Sequence, residues 1–179
     1  QPHLVMDLSA RADHVDFEGS RKSLVGVAPQ IEALYTTFRP RGQVDVALRA
    51  RRPAPDAPLE VSGTAACRDV EMTYAEFPYP LERMHGTVQF GPEGFETRDL
   101  EGRHGQAVLR LEGWVKNPGP TMEVQMRIHA SRLALDEDLR AALRPEQRNI
   151  YDQYAPSGTA DADVAVYQPP RANTPPEVA

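Results

Sequence analysis

The sequence predicts a mainly β protein, with an antiparallel curled sheet, short helical connectors and repeats of about 116 residues. Three observations predict this fold. Apolar and polar residues alternate along most of the chain, continuous apolar runs are missing, and the last third of the chain echoes the first. Alternation gives each strand one apolar and one charged face, as in an antiparallel sheet with a dry side and a wet side.

Seven strands are predicted from the alternation, near residues 44–50, 59–67, 69–75, 84–90, 94–100, 106–116 and 121–130. The last of these is the clearest, because Val124, Met126 and Ile128 alternate with polar neighbours. Two of the strands are separated by Gly91-Pro92-Glu93-Gly94, which predicts a hairpin loop.

Helical turns are predicted over residues 136–154. Asp136 is suited to cap the first helix, and Pro145 is suited to the first position of a second one. Pro156-Ser157-Gly158 then predicts a turn into the next strand. Residues 19–38 of the first copy repeat this plan.

The repeat is an ungapped match of residues 1–63 to residues 117–179. Identical pairs are Pro2/Pro118, Met6/Met122, Arg11/Arg127, Pro29/Pro145, Tyr35/Tyr151, Pro40/Pro156, Gly42/Gly158, Asp45/Asp161 and Pro53/Pro169. Because Pro and Gly constrain the backbone, their recurrence predicts the same chain path built twice. Residues 1–41 are then the end of one unit, residues 42–157 a complete unit, and residues 158–179 the start of the next.

Composition limits the chemistry. The net charge of −6 argues against nucleic acid as a partner, and the single cysteine, Cys67, excludes an internal disulfide. Cys67 lies in an apolar alternation, which favours a buried small hydrophobe over a reactive thiol. Metal-ligand spacing and catalytic motifs are missing from the sequence, so we expect no metal, no cofactor and no enzyme activity. One basic cluster stands out, for which a solvated strand end is favoured over phosphate binding: Arg39, Arg41, Arg49, Arg51 and Arg52.

Several segments together resemble the AsmA-like proteins, which include the large TamB-like and YhdP-like envelope proteins. Phe77–Phe90 is similar to the family's segment in which a proline and hydrophobic residues precede Gly-x-hydrophobic-x-hydrophobic. Phe95–Val115 is similar to the segment that follows it. Leu133–Leu139 and Tyr154–Asp161 resemble the helical link and the start of the next strand.

The resemblance implies an open β-groove in which stacked units form a channel with an apolar inner face. Met suits such a surface because its flexible side chain adapts to varied partners. The same residues would also suit the closed core of a sandwich. The expected groove-lining residues are Val44, Val46, Leu48, Met72, Tyr74, Val88, Phe90, Leu109, Leu111, Val124, Met126 and Ile128.

The function implied by the resemblance is the conduction of lipid acyl chains between membranes, in bacterial envelope and outer-membrane biogenesis. Its partners are then lipid, neighbouring repeat units of a longer chain, and the membranes at the ends of that chain. Its location is periplasmic, with a membrane anchor in the full-length protein. The alternative is a structural or adhesive β-repeat of the cell envelope with a closed core and a protein partner.

Overall fold

The computed structural model describes residues 6–27, 30–54, 56–118 and 121–170. The chain is mainly β, as predicted: eight strands form one open antiparallel sheet in chain order, with helices as connectors. The elements are β1 (Met6–Asp16), α1 (Phe17–Val27), α2 (Gln30–Phe38), β2 (Arg41–Arg52), β3 (Glu60–Tyr74), β4 (Phe77–Gly91), β5 (Gly94–His104), β6 (Ala107–Lys116), β7 (Glu123–Ala134), α3 (Glu137–Ala142), α4 (Pro145–Tyr154) and β8 (Thr159–Gln168).

The core lies on one face of the sheet, which we name the inner face. It carries the buried side chains of Val44, Val70, Leu81, Leu109 and Ala130, whereas the outer face is charged. Both helix pairs lie at one end of the sheet, because α1–α2 joins β1 to β2 and α3–α4 joins β7 to β8. We name this the helix end and the opposite one the hairpin end.

A band of β-bulges crosses the sheet in the half nearer the helix end. His14, Asp69, Arg83 and Arg132 have φ values of 56°, 61°, 50° and 54°, and the strand register shifts beside each of them. The register of β5 also shifts, between residues 97 and 100. Because a bulge bends its strand and increases its twist, this band bends the sheet toward its inner face.

Aromatic contacts show how strongly the sheet bends. Tyr74 ends β3, and Phe95 lies near the hairpin end of β5, so a flat sheet would separate them by about 30–35 Å along the strands. Phe38 contacts both, with ring centroids 5.5 Å from Tyr74 and 5.6 Å from Phe95. The two ends of the strands therefore face each other across a trough.

The predicted helices and turns agree with the structure. The Asp136 side chain caps α3 by accepting a hydrogen bond from the Leu139 N–H at 3.1 Å, and Pro145 is the first residue of α4. Gly91 pairs with Gly94 across a two-residue turn, which confirms the hairpin.

Several predicted strand boundaries are wrong, and bulges explain most of the errors. The strands predicted over 59–67 and 69–75 form one strand, β3, because the Asp69 bulge shifts the phase of the alternation without ending the strand. The strands predicted over 94–100 and 121–130 likewise continue past their bulges, to His104 and Ala134.

The strand predicted over 84–90 is only the second half of β4. The first half contains Pro78 and Pro80, which disfavour a strand interior because proline lacks the backbone N–H. The structure accommodates them where the register of β3 and β4 is irregular, between the Met72–Leu81 and Tyr74–Phe77 pairs.

Backbone features recur at the offset of 116 residues. Arg39 and Ala155 are both left-handed, with φ values of 45° and 42°, and Gly42 and Gly158 have φ values of 93° and 94°. Both copies also have the order strand, helix, helix, strand. Pro29, the partner of Pro145, lies outside the described residues. The unit boundaries at residues 41/42 and 157/158 stay predictions.

The repeat supplies a matched pair of variants for the bend. Phe38→Ala removes the half-buried ring that joins Tyr74 to Phe95, so we expect a loss of roughly 2–3 kcal/mol in the free energy of unfolding, below the 3–5 typical of a fully buried ring. Tyr154 is its equivalent in the second copy and is 75% exposed. Tyr154→Ala should therefore change stability little, and urea unfolding measures both. Equal losses would contradict the bend.

Candidate ligand groove

Strand register places all twelve expected groove residues on the inner face. In β6 and β7, Leu111 lies opposite Ile128 and Val115 lies opposite Val124. The register of the other strands continues these rows of inner-face residues to both edges of the sheet. The twelve are brought onto one surface. Three of them are buried, namely Val44, Leu109 and Leu111, and the other nine are half-buried.

Most charged side chains of the sheet lie on its outer face. Acidic residues on this face form cross-strand ion pairs with arginines, and one of them contacts a histidine. These pairs are Arg49–Asp7, Arg68–Asp45, Arg110–Glu101, Arg127–Glu112 and His129–Asp163. Exposed pairs of this kind stabilise the sheet little, but they mark the outer face as the hydrated one.

The helix end of the inner face is covered by α3. Leu139 and Ala142 pack in the same buried cluster as Tyr79, Leu81 and Leu109, although α3 follows β7 and these residues lie one to three strands away. The short helix thus lies across the trough and closes its floor at this end.

Polar contacts hold α3 in that position. Arg140 donates to Asp152 at 2.5 Å and to Glu137 at 2.9 Å, which joins α3 to α4 and raises the pKa of Arg140. Arg144 donates to Glu76 in the β3–β4 turn at 2.9 Å. The α3–α4 link is therefore fixed to the opposite side of the trough.

Two titratable residues of the inner face, Cys67 and Tyr79, are neutral at physiological pH. Burial raises the pKa of Cys67 to about 11 and, with Asp136 and Asp138 nearby, raises the pKa of Tyr79 to about 12. A phenol of this pKa can donate a hydrogen bond but cannot act as a base. The Tyr79 hydroxyl has no hydrogen-bond partner within the described residues.

Toward the sheet edges, the inner face is open. Leu8 on β1 is 52% exposed, and Val164 and Val166 on β8 are 47% and 38% exposed. These three residues were not among the sequence-predicted lining residues. The signal was present for two of them, because Leu8 and Val164 are the repeat partners of the predicted lining residues Val124 and Leu48.

The arginine cluster predicted from the sequence is not brought together. In the strand register Arg41 lies opposite Glu71 near the helix end, and Arg51 lies opposite Glu60 at the hairpin end. The length of β2 therefore separates the arginines at its start from those at its end. Arg49 is held by Asp7 at 2.5 Å. This separation agrees with the preference for a solvated strand end over a phosphate site.

Other kinds of site find no support in the described residues. Residues 6–27, 30–54, 56–118 and 121–170 contain no group of three or more His, Cys, Asp or Glu placed to hold a metal ion. Within the same ranges no helix has the length and apolar character needed to span a bilayer. A charged depression of about 780 Å³ is lined mainly by side chains already in ion pairs, such as Arg110 and Arg127.

Comparison of the chain with protein-family models, curated proteins and solved structures gives no match.

Cys67 reports directly on the inner face. With a pKa of about 11, about one thiol in a thousand is ionised at pH 8. An exposed thiol with a pKa near 8.5 is about one-quarter ionised at that pH. We expect a small thiol reagent to label Cys67 at least about tenfold more slowly than Ser62→Cys in a Cys67→Ser background, because the smaller ionised fraction outweighs the greater nucleophilicity of a thiolate of higher pKa and because Ser62 is exposed on the same strand. Similar labelling rates would contradict the burial of the thiol.

Proposed function

We propose that this protein binds lipid acyl chains along its inner face and conducts them along the trough between membranes. The observation that supports the proposal is a strongly bent sheet whose inner face is mostly apolar, apart from Arg52 at the hairpin end and His104 at the helix end, and whose cross-strand ion pairs lie on the outer face. A trough of this kind suits a long, flexible, uncharged ligand rather than a compact polar one.

Half-buried residues supply most of the contact surface. Val46, Leu48, Phe90, Val124 and Met126 are partly accessible, so a chain lying against them would bury apolar area that the protein itself leaves hydrated. Each methylene removed from water contributes about 0.8 kcal/mol, so about ten methylenes supply several kcal/mol even when coverage is partial. Binding of this kind follows chain length more than headgroup.

The cover at the helix end limits where the ligand lies. Leu109 and Leu111 already pack near α3 and are buried, so the ligand occupies the more open part of the trough toward the hairpin end. The same cover favours the structural β-repeat with a closed core as the competing function, because part of the inner face is packed by its own chain.

In this proposal the trough continues through neighbouring repeat units, and the protein acts in the periplasm of the bacterial envelope. The recurrence of Gly42 and Gly158 geometry at an offset of 116 residues supports a repeating trough. The apolar inner face supports a lipid partner rather than a nucleic acid.

The test compares Met126→Asp with Gln125→Asp. Met126 is half-buried on the inner face, and Gln125 is its exposed neighbour on the outer face. We expect native mass spectrometry after mild extraction to show phospholipid on the wild type and Gln125→Asp but at least tenfold less on Met126→Asp. Circular dichroism and thermal unfolding check that each variant is folded.

Unfolding of Met126→Asp would support a closed core, because an unpaired charge in a packed interior costs several kcal/mol. Val166→Asp then keeps the test open, since Val166 is 38% exposed at the edge of the inner face. The groove would be contradicted if the variants that fold, whether Met126→Asp, Val166→Asp or both, bind as much lipid as the wild type.

A further inference from the structure

We infer that the outer edge of β8, which pairs with no strand among the described residues, is a docking site for an extended antiparallel strand of the β3 type, one that places an arginine or lysine beside Asp161. The basis is the equivalence of β8 with β2 at the offset of 116 residues. In the first copy the corresponding edge of β2 is covered by β3, so the chain itself shows what kind of strand this edge accepts.

Two aspartates, one on β2 and one on β8, make equivalent contacts with the strand before them. Asp45 Oδ1 accepts the backbone N–H of the bulge residue His14 at 2.9 Å, and Asp161 Oδ1 accepts that of the bulge residue Arg132 at 2.8 Å. Asp45 and Asp161 are exactly one repeat apart in the sequence. The two side chains therefore have the same orientation relative to the preceding strand.

Asp45 and Asp161 differ in the partner of their second carboxylate oxygen. The other oxygen of Asp45, Oδ2, pairs with the Arg68 guanidinium of β3. Asp161 has no salt-bridge partner among the residues that the structure describes. One half of an ion pair is thus presented at the open edge, in the geometry in which its equivalent is already paired.

The inner-face residues of β8 are more exposed than their equivalents on β2. Ala50 of β2 lies opposite Val61 of β3 and is 6% exposed, whereas its equivalent on β8, Val166, is 38% exposed. Val164, the equivalent of Leu48, is 47% exposed. A β3-type strand would cover both valines while pairing the backbone groups of β8.

The register follows from the β2–β3 pairs. Gly63 lies opposite Leu48, where an added Cβ would stand 2.1 Å from the Ala47 carbonyl oxygen, so the incoming strand carries glycine opposite Val164. Arg68 lies opposite Gln43, the equivalent of Thr159, and its side chain reaches back to the aspartate. The ligand is therefore an alternating strand with small inner residues and one cation.

The probe is a synthetic peptide of residues 57–69 with Cys67→Ser, added to the intact protein. We expect hydrogen exchange to slow at the backbone amides of residues 159–168, with no comparable slowing in β1. Asp161→Asn should weaken peptide binding about threefold in fluorescence anisotropy, the size of one exposed charge pair. Its amide oxygen can still accept the Arg132 N–H, so the bulge is kept.

Asp163→Asn is the matched control, because Asp163 lies two residues along β8 on the same outer face and its repeat partner is the uncharged Ala47. It should leave binding unchanged. A peptide carrying Arg68→Gln should bind the wild type about threefold more weakly and should bind Asp161→Asn no more weakly than the wild type.

Three results would overturn the inference. The first is no protection of β8 at about 1 mM peptide, the weak end of specific binding. The second is an equal effect of Asp161→Asn and Asp163→Asn. The third is protection of β8 that appears without peptide and rises with protein concentration together with dimer formation, which would assign the edge to a second copy. None of these measurements depends on lipid, so the proposed groove is tested separately.

Discussion

The bending of the long strands is the constraint on which the rest of the structure depends. An antiparallel sheet with one apolar face and no bend would expose most of that face, since the described residues contain two short helix pairs to cover it. The band of bulges turns the inner face on itself, so that Tyr74 and Phe95 contact the same ring of Phe38. Burial of the inner face thus combines the bend of the sheet with cover from helix residues, such as Phe38 of α2 and Leu139 of α3.

Such a bend needs the bulges to be stable. A non-glycine residue in the left-handed region costs roughly 1 kcal/mol, and a bulge also leaves a backbone N–H without its ladder partner. The structure satisfies that N–H with an aspartate of the next strand at two bulge residues, His14 with Asp45 and Arg132 with Asp161, and Asp99 accepts the N–H of Thr87 where the β4–β5 register shifts. The accompanying contact with Arg68 and His14 lowers the pKa of Asp45, so this carboxylate stays ionised, and a strong acceptor, across the neutral range.

This arrangement explains what could be predicted from the sequence. Alternation identified the two faces of the sheet correctly, because the period of two is a local property of each strand. Strand ends were missed at Asp69 and Arg132, because a bulge shifts the phase of the alternation and reads as an end. The position of α3 could not be predicted, since Leu139 contacts residues of β4 more than fifty positions earlier. The arginines that are close in sequence do not form a cluster in the structure, because they lie at opposite ends of β2.

The two helix pairs show that the environment of a repeated segment depends on the strands beside it. The link after β7 reaches back over strands that precede it, and α3 packs on β4. The link after β1 has no preceding strand among the described residues, so α1 packs on β2 instead. Phe38 and Tyr154 differ in the same way, because Phe38 has β3 and β5 beyond it whereas Tyr154 faces the open edge at β8. Equivalent residues thus gain or lose burial according to their neighbours, as in repeat proteins whose stability depends on interfaces between adjacent units. Val164 and Val166 of β8 are exposed because no strand of the described residues lies beside them at that edge of the sheet.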